Sequence, residues 1–228
     1  MKGLLLAGGL GTRLRPLTEE IPKCLVEIDG RPLLEWWLDA LEELGVDECF
    51  INTHYLAHMV EDYVFHRPNN DWISLVHEPT LLGTAGTIRS LEDKFRDDVL
   101  LVAHADNLAL GSLDGLVAGH LRRPPQCQMT MLTFRSSRKS EVGTVVVDGN
   151  GVVVEYFEKD PEAPGNLANA AIFLVEHQIV NEIGSAADFS KEVLPRLVGR
   201  LFSVEFEGIL IDIGTPTELD RARRLVKG

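Results

Sequence analysis

Cationic side chains are scarce in this sequence. Lys and Arg number 22 against 35 Asp and Glu, a formal net charge of −13 over 228 residues. A chain that grips a nucleic-acid backbone needs a basic face. A cationic run such as RSSRK at 135–139 holds only three cations, so nucleic acid is not an expected partner. A small anion stays possible, because a few local cations outweigh global charge at short range. Cysteine is sparse too. Cys24, Cys49 and Cys127 show no CxxC spacing and no pairing pattern, which predicts buried thiols in a reducing compartment. Long apolar runs are missing, and none nears the roughly 20 residues of a membrane span. The start, MKGLLLAGG, is too short and too broken by glycine for a secretion signal. A cytoplasmic protein with no membrane partner is expected.

What is present is ordinary for a globular chain: 45% hydrophobic and 25% charged residues. The length suits one α/β domain with a sizeable core, or at most two small ones. Strand-like runs at 2–8, 47–54, 72–78 and 98–106 alternate with helical spacing at 33–45, 58–65 and 84–95. In the first helix Leu34, Trp37, Leu38 and Leu41 share a stripe, and Gly45 marks its stop. This alternation predicts a parallel sheet covered by helices on both faces. The second half is β-rich, at 128–135, 143–148, 151–160, 170–176 and 201–214, with DGNG at 148–151 as a hairpin turn. A helix is expected to begin at 189, and another closes the chain with Thr215 or Thr217 as its cap. The fold class is therefore α/β, Rossmann-like, three layers with a mainly parallel mixed sheet. PPQ at 124–126 marks a seam between the halves, not a domain boundary.

The stretch LLLAGGLGTRLRPLTEEIPK, residues 4–23, carries the chemistry. An apolar strand that runs into glycines brings backbone close to a ligand and offers N–H groups to anionic oxygens. It is not a Walker A loop, which needs G-x-x-x-x-G-K-[ST]. It is not the dinucleotide fingerprint either, whose third glycine would fall on Leu14. Instead Arg13 follows the glycines directly, and Lys23 stands ten residues on, after Pro22.

The pattern G-G-x-G-T-R-L-x-P-L-T-x-x-x-P-K resembles the signature of the sugar-1-phosphate nucleotidyltransferases, the NDP-sugar pyrophosphorylases. EPTLLGTAGTI (78–88), VAHAD (102–106), FEKDP (157–161), NAAIFLV (169–175) and IDIGTPTEL (211–219) follow in that family's order. The likeness covers nearly the whole chain and leans to the short mannose- or heptose-1-phosphate guanylyltransferase branch. The resemblance implies attack by a sugar-1-phosphate oxygen on the α-phosphorus of a nucleoside triphosphate, giving an NDP-sugar and pyrophosphate. Catalysis of that kind is mostly positioning and charge stabilisation.

The resemblance assigns roles residue by residue. Leu6, Ala7, Gly8, Gly9, Gly11 and Thr12 would hold the nucleotide, the backbone N–H groups around Gly8, Gly9, Gly11 and Thr12 cradling base, ribose and phosphates. Arg13 would grip the β- and γ-phosphates and Lys23 the α-phosphate. Asp106, at the end of an apolar strand, and Asp212 would hold Mg²⁺, which takes carboxylates, phosphate oxygens and water. Ala105 departs from the family, which usually has glycine before that first aspartate. Gly143, Glu158, Lys159 and Asn169 would face the sugar phosphate. Gly83 and Thr84 match the loop near the nucleobase, and Glu78 stands just before it. A carboxylate accepts two hydrogen bonds from guanine's N1–H and N2 amino group but offers uracil or thymine only one useful acceptor, so GTP is favoured. Glu78 could equally be a strand-end residue pointing into solvent.

His54 and His58, at i and i+4, have no third partner for zinc. His104 shares a strand face with Asp106 and is either a pocket-lining or a packed histidine; Trp37 is expected in the core and Trp36 partly exposed. A uridylyl- or cytidylyltransferase of the same fold, for example on N-acetylmuramate-1-phosphate, is the nearest alternative. A non-catalytic nucleotide-sugar sensor would be favoured by loss of Arg13, Lys23, Asp106 or Asp212, all of which are present. A metal-dependent glycosyltransferase would want D-x-D, where Asp106-Asn107-Leu108 has one carboxylate. One domain is expected over 1–228, its nucleotide part about 1–110 and its sugar-phosphate part about 111–228. The sequence ends soon after Asp212, so no C-terminal β-helix or acetyltransferase module is expected, and the protein is expected to be a monomer or homodimer.

Overall fold

The computed structural model describes residues 1–227. The fold is α/β, a mixed, mostly parallel sheet with flanking helices. It forms two compact units, each built from separate stretches of chain: 1–81, 103–111 and the chain from Gly208 in the first, 82–102 and 112–207 in the second. Residues 124–126, where the sequence suggested a seam, lie inside the second unit. No helix among the described residues is long and apolar enough to cross a membrane.

Strand β1 (Lys2–Leu6) is an aliphatic run that stops where the glycines begin. A 3₁₀ turn at Thr12–Leu14, the one-turn helix α1 (Leu17–Glu20), a second 3₁₀ turn at Lys23–Leu25 and the two-residue strands β2 (Glu27–Ile28) and β3 (Arg31–Pro32) follow. None is long enough to show a hydrophobic period, so none was predicted. In α2 (Leu33–Glu43) the expected stripe is buried, and Gly45, at φ 70°, lies just past its end. Strand β4 (Glu48–Thr53), helix α3 (Ala57–His66) and strand β5 (Ile73–His77) complete this stretch. β1 runs parallel to β4 with Leu6 opposite Asn52, and β4 runs parallel to β5.

Helix α4 (Gly83–Ser90) opens the second unit; it stops short of the predicted end at 95, giving way to a 3₁₀ turn at Glu92–Lys94. Strand β6 (Leu100–His104) leads the chain back into the first unit, where β7 (Asn107–Leu110) lies. Neither β7 nor helix α5 (Asp114–Arg122) was predicted. Strands β8 (Met129–Arg135), β9 (Gly143–Val147), β10 (Val153–Glu158) and β11 (Leu167–Val175) follow, with the expected hairpin between β9 and β10. After the short α6 (Val180–Ile183), the helix expected from 189 is instead a wide π-type turn at Phe189–Val193 and a 3₁₀ turn at Leu194–Leu197. Pro195 supplies no N–H for a regular helical ladder there.

The β run predicted over 201–214 is two strands with different partners. β12 (Leu201–Glu205) pairs in parallel with β8, and β13 (Ile209–Asp212) pairs antiparallel with β7. The break lies at Phe206–Gly208, where Phe206 donates its N–H to Thr133 O. α7 (Pro216–Val226) closes the chain, with the Thr215 hydroxyl accepting from Glu218 N as its cap and Pro216 at its first position. In the second unit β11 lies between β8 and β9, antiparallel to both.

Candidate active site

One apolar cluster in the first unit sets the backbone from which four charged side chains project. It contains Leu14, Val26, Ile28, Leu33, Leu108, Ile211, Ile213 and Leu219. Leu14 anchors the turn that carries Arg13. Ile211 and Ile213 flank Asp212. Leu108 follows Asp106 by two. Strand pairing sets Asn107 opposite Asp212, so Asp106 stands one residue from that register, and the Ala105 N–H donates to Leu6 O at the end of β1. Lys23 follows Pro22 in a buried turn and is itself only 7% exposed.

The result joins four residues that lie far apart in sequence. Lys23 Nζ donates to Asp106 Oδ2 at 2.7 Å and to Asp212 Oδ1 at 2.9 Å. Arg13 Nη2 reaches Asp212 Oδ2 at 3.2 Å. His104 Nδ1 lies 3.9 Å from Asp106 Oδ1. Burial alone would raise the Asp106 carboxyl, but the Lys23 ammonium, and then His104, outweigh it and hold the group below the usual carboxylate range. Gly214, which the sequence did not single out, makes room for this: a Cβ there would lie 2.6 Å from Arg13 Nη2 and 2.9 Å from Asp212 Oδ1.

The glycine loop beside them is held from within. Gly11 sits at φ 61°, its carbonyl accepts from the buried Thr18 hydroxyl at 2.7 Å, and the Leu14 N–H closes onto the same carbonyl. The N–H groups of Gly9, Leu10, Gly11, Thr12 and Arg13 make no hydrogen bond among the described residues. The amides of Ala7 and Gly8 are turned inward instead, donating to Asn52 Oδ1 at 2.7 and 3.2 Å. Of the loop amides expected to face a ligand, that of Gly8 is therefore already taken. Asn52, buried in β4, was not singled out from the sequence; a polar side chain in the apolar run CFINT was its only signal. Its Nδ2 donates to Glu78 Oε1 at 3.1 Å. Glu78 is 2% exposed, so it does not point into solvent. Its carbonyl also meets His54 Nδ1 at 2.7 Å.

The second unit gathers another set. Glu158 stands opposite Gly143 across β10 and β9, and the Tyr156 hydroxyl donates to Glu158 Oε2 at 2.6 Å. A Cβ on Gly143 would lie 2.4 Å from that hydroxyl and 3.0 Å from Glu158 Oε2. Burial, and then Glu158, push the Tyr156 phenol up, while the side chains of Asn169 and Ser190 pull against them. Three of the predicted sugar-side residues thus meet around a tyrosine that was missed, although it stands two before Glu158 on the same strand face. Lys159 takes φ 53° and donates its N–H to Val142 O. Gly83, at φ 76°, packs where a Cβ would lie 2.4 Å from Ala187 O, and the Thr84 hydroxyl accepts from Phe189 N.

All three cysteines are free and buried; burial raises the Cys24 thiol to about 12. Trp37 is core, and its indole donates to Asn107 O. Among the described residues no three His, Cys, Asp or Glu side chains converge for a metal.

Known proteins share this architecture and sequence. A putative glucose-1-phosphate thymidylyltransferase from Bacillus anthracis superposes with a TM-score of 0.84 at 22% identity, covering 100% of this chain and 95% of that one. A UDP-glucose pyrophosphorylase, solved with UDP-glucose, gives 0.85 at 21% identity, with 99% and 98% covered. In sequence the chain is 31% identical over 234 residues to a probable mannose-1-phosphate guanylyltransferase of Oryza sativa subsp. japonica, covering 99% of this chain and 64% of the relative. It is 30% identical to the mannose-1-phosphate guanyltransferase of Saccharomyces cerevisiae, covering 96% and 62%. The chain thus spans somewhat less than two thirds of the length of these relatives. The nucleotidyl transferase family model matches residues 2–227, and the chain belongs to that family.

Proposed function

We propose that the chain transfers a nucleotidyl group from a nucleoside triphosphate, with GTP favoured, to a sugar-1-phosphate. An oxygen of the sugar phosphate attacks the α-phosphorus. The bond from that phosphorus to the bridging oxygen breaks, and pyrophosphate leaves with the electron pair. The observation that carries this reading is the four-residue centre, with Lys23 held between Asp106 and Asp212 and Arg13 beside them, next to a loop with five open amides.

Each group then has work suited to its chemistry. The amides from Gly9 to Arg13 hold phosphate oxygens. Arg13 is always charged and forks onto the departing pyrophosphate. Lys23 neutralises the α-phosphate, where two anions must meet. Gly83 and Thr84 are proposed nucleotide contacts. Glu158 accepts from sugar hydroxyls, Asn169 both donates and accepts, and Lys159 holds the sugar phosphate.

Asp106 and Asp212 fit Mg²⁺. The pair already accepts a cationic group at one point, the Lys23 ammonium at 2.7 and 2.9 Å. Two carboxylates with no third protein ligand suit an ion that keeps waters and takes phosphate oxygens. When bound, Mg²⁺ supplies charge neutralisation at the phosphates.

For the base, Glu78 presents a carboxylate that can accept from both guanine donors. The Asn52 amide donates to its Oε1. The names of the rice and yeast relatives agree with guanine. The test is pyrophosphate release with Mg²⁺, crossing GTP, UTP, CTP, ATP and dTTP with mannose-, glucose-, heptose- and N-acetylmuramate-1-phosphate. Release confined to GTP pairs, with E78Q eroding that preference, is the expected result. Unchanged base preference in E78Q removes Glu78 from base recognition. Silence across the panel from folded protein that still binds nucleotide would favour a sensor.

A further inference from the structure

We propose that Asn52 is a positioning residue for nucleotide binding, one side-chain amide that fixes the glycine loop and the Glu78 carboxylate together. This rests on the reading of that loop and Glu78 as nucleotide contacts. The two ends of the amide have separate tasks. Oδ1 accepts from the consecutive N–H groups of Ala7 and Gly8 at 2.7 and 3.2 Å. Nδ2 donates to Glu78 Oε1 at 3.1 Å. Asn52 is 4% exposed and Glu78 2%, so water does not substitute easily at either end. Gly8 belongs to the same fit, since a Cβ there would lie 3.0 Å from Asn52 Nδ2. Parallel pairing sets Asn52 opposite Leu6, the last residue of β1, so β4 carries the amide to the point where the loop leaves the sheet.

The arrangement has a polarity that can be inverted. Only a side chain with an acceptor on one end and a donor on the other serves both the loop amides and a carboxylate. N52D keeps the acceptor for the loop but sets a second carboxylate against Glu78 in a buried place. N52D combined with E78Q restores complementarity at the original net charge, because the glutamine amide now donates to the aspartate. E78Q alone keeps the clamp, since the glutamine carbonyl still accepts from Asn52. Base preference and loop positioning therefore separate in the variants.

The experiment compares wild type, N52D, E78Q and the N52D/E78Q pair in two ways: hydrogen exchange of the Ala7 and Gly8 amides without nucleotide, and steady-state kinetics for both substrates. In N52D, exchange at both amides should be faster and KM for GTP should rise about tenfold, with KM for the sugar-1-phosphate unmoved. E78Q should retain exchange protection, and the N52D/E78Q pair should regain it, while its KM for GTP keeps the loss that E78Q alone shows. If N52D does not fold, a folded N52D/E78Q pair with protected amides supports the clamp equally. Wild-type exchange in N52D, or Ala7 and Gly8 amides that exchange as fast in the double variant as in N52D, overturns the proposal. Exchange needs no turnover, so a protected loop in a protein inactive with every substrate would defeat the functional reading and leave the clamp standing.

Discussion

Lys23 is a nearly buried lysine whose ammonium rests on two carboxylates. Removing one partner of such a set leaves uncompensated charge behind. K23M keeps the stem's bulk and deletes the ammonium, so Asp106 and Asp212 would then repel each other. Both carboxylates reach solvent, which limits the loss to about 1–2 kcal/mol of stability. The freed pair should also take up Mn²⁺ more tightly in nucleotide-free protein, even as turnover is lost. A Mn²⁺ titration of both proteins decides this; equal affinities would show that the ammonium does not stand in a cation's place. Gly143 offers a second single-residue test. In G143A the new methyl would meet the Tyr156 hydroxyl and Glu158, displacing the pair. KM for the sugar-1-phosphate should rise about tenfold, as expected for a lost hydrogen bond to a charged group, while KM for the triphosphate stays within about twofold. A rise in the triphosphate KM alone would remove Glu158 from the sugar side.

At the scale of elements, α5 is tied to β8 by a titratable residue. His120 Nδ1 meets the Thr130 hydroxyl at 2.8 Å, and Nε2 meets Glu176 Oε1 at 3.2 Å. Burial and then the Arg123 guanidinium lower the His120 pKa, and Glu176 opposes them without prevailing. The unfolded chain therefore binds this proton more readily than the folded one. Stability should fall as pH drops through about 6.5, the ordinary histidine value, with a slope of up to ~1.4 kcal/mol per pH unit. Thermal melts of wild type and H120Q at pH 7.5 and pH 5.5 isolate this residue among seven histidines; the same loss in both would absolve His120. Helix α5 also shows why some elements were not legible. Its sequence, DGLVAGHLR, carries two glycines, which weaken any helical reading. Gly119 is there because a Cβ would lie 2.4 Å from Val204 Cγ2, a contact no local pattern reveals. β7 is four residues, NLAL, with no β-branched side chain. By contrast β1, β4, β6 and α2 were legible because their burial is nearly complete or strictly periodic. In the site, the glycines, Arg13, Lys23 and the two aspartates were legible because a fixed local motif or a strand end carries them. Asn52, Tyr156 and Gly214 were not, since each acts through a partner that only the fold supplies.

Across the whole molecule, a strongly acidic chain places three of its cations at the proposed substrate contacts. Of 22 Lys and Arg, Arg13 and Lys23 stand at the four-residue centre of the first unit, and Lys159 follows Glu158 in the second. This division makes a kinetic prediction. R13A should lower kcat and raise KM for the triphosphate, because a guanidinium on phosphate acts in binding and on the leaving pyrophosphate alike. E158Q keeps the side chain's size and one acceptor but loses the charge, and should raise KM for the sugar-1-phosphate alone. Initial rates with each substrate varied at saturating levels of the other read both effects. The two changes should be close to additive in R13A/E158Q, since Arg13 pairs with Asp212 and Glu158 with Tyr156. Strong non-additivity, or an E158Q variant that loses triphosphate affinity, would mean that Arg13 and Glu158 do not serve separate substrates.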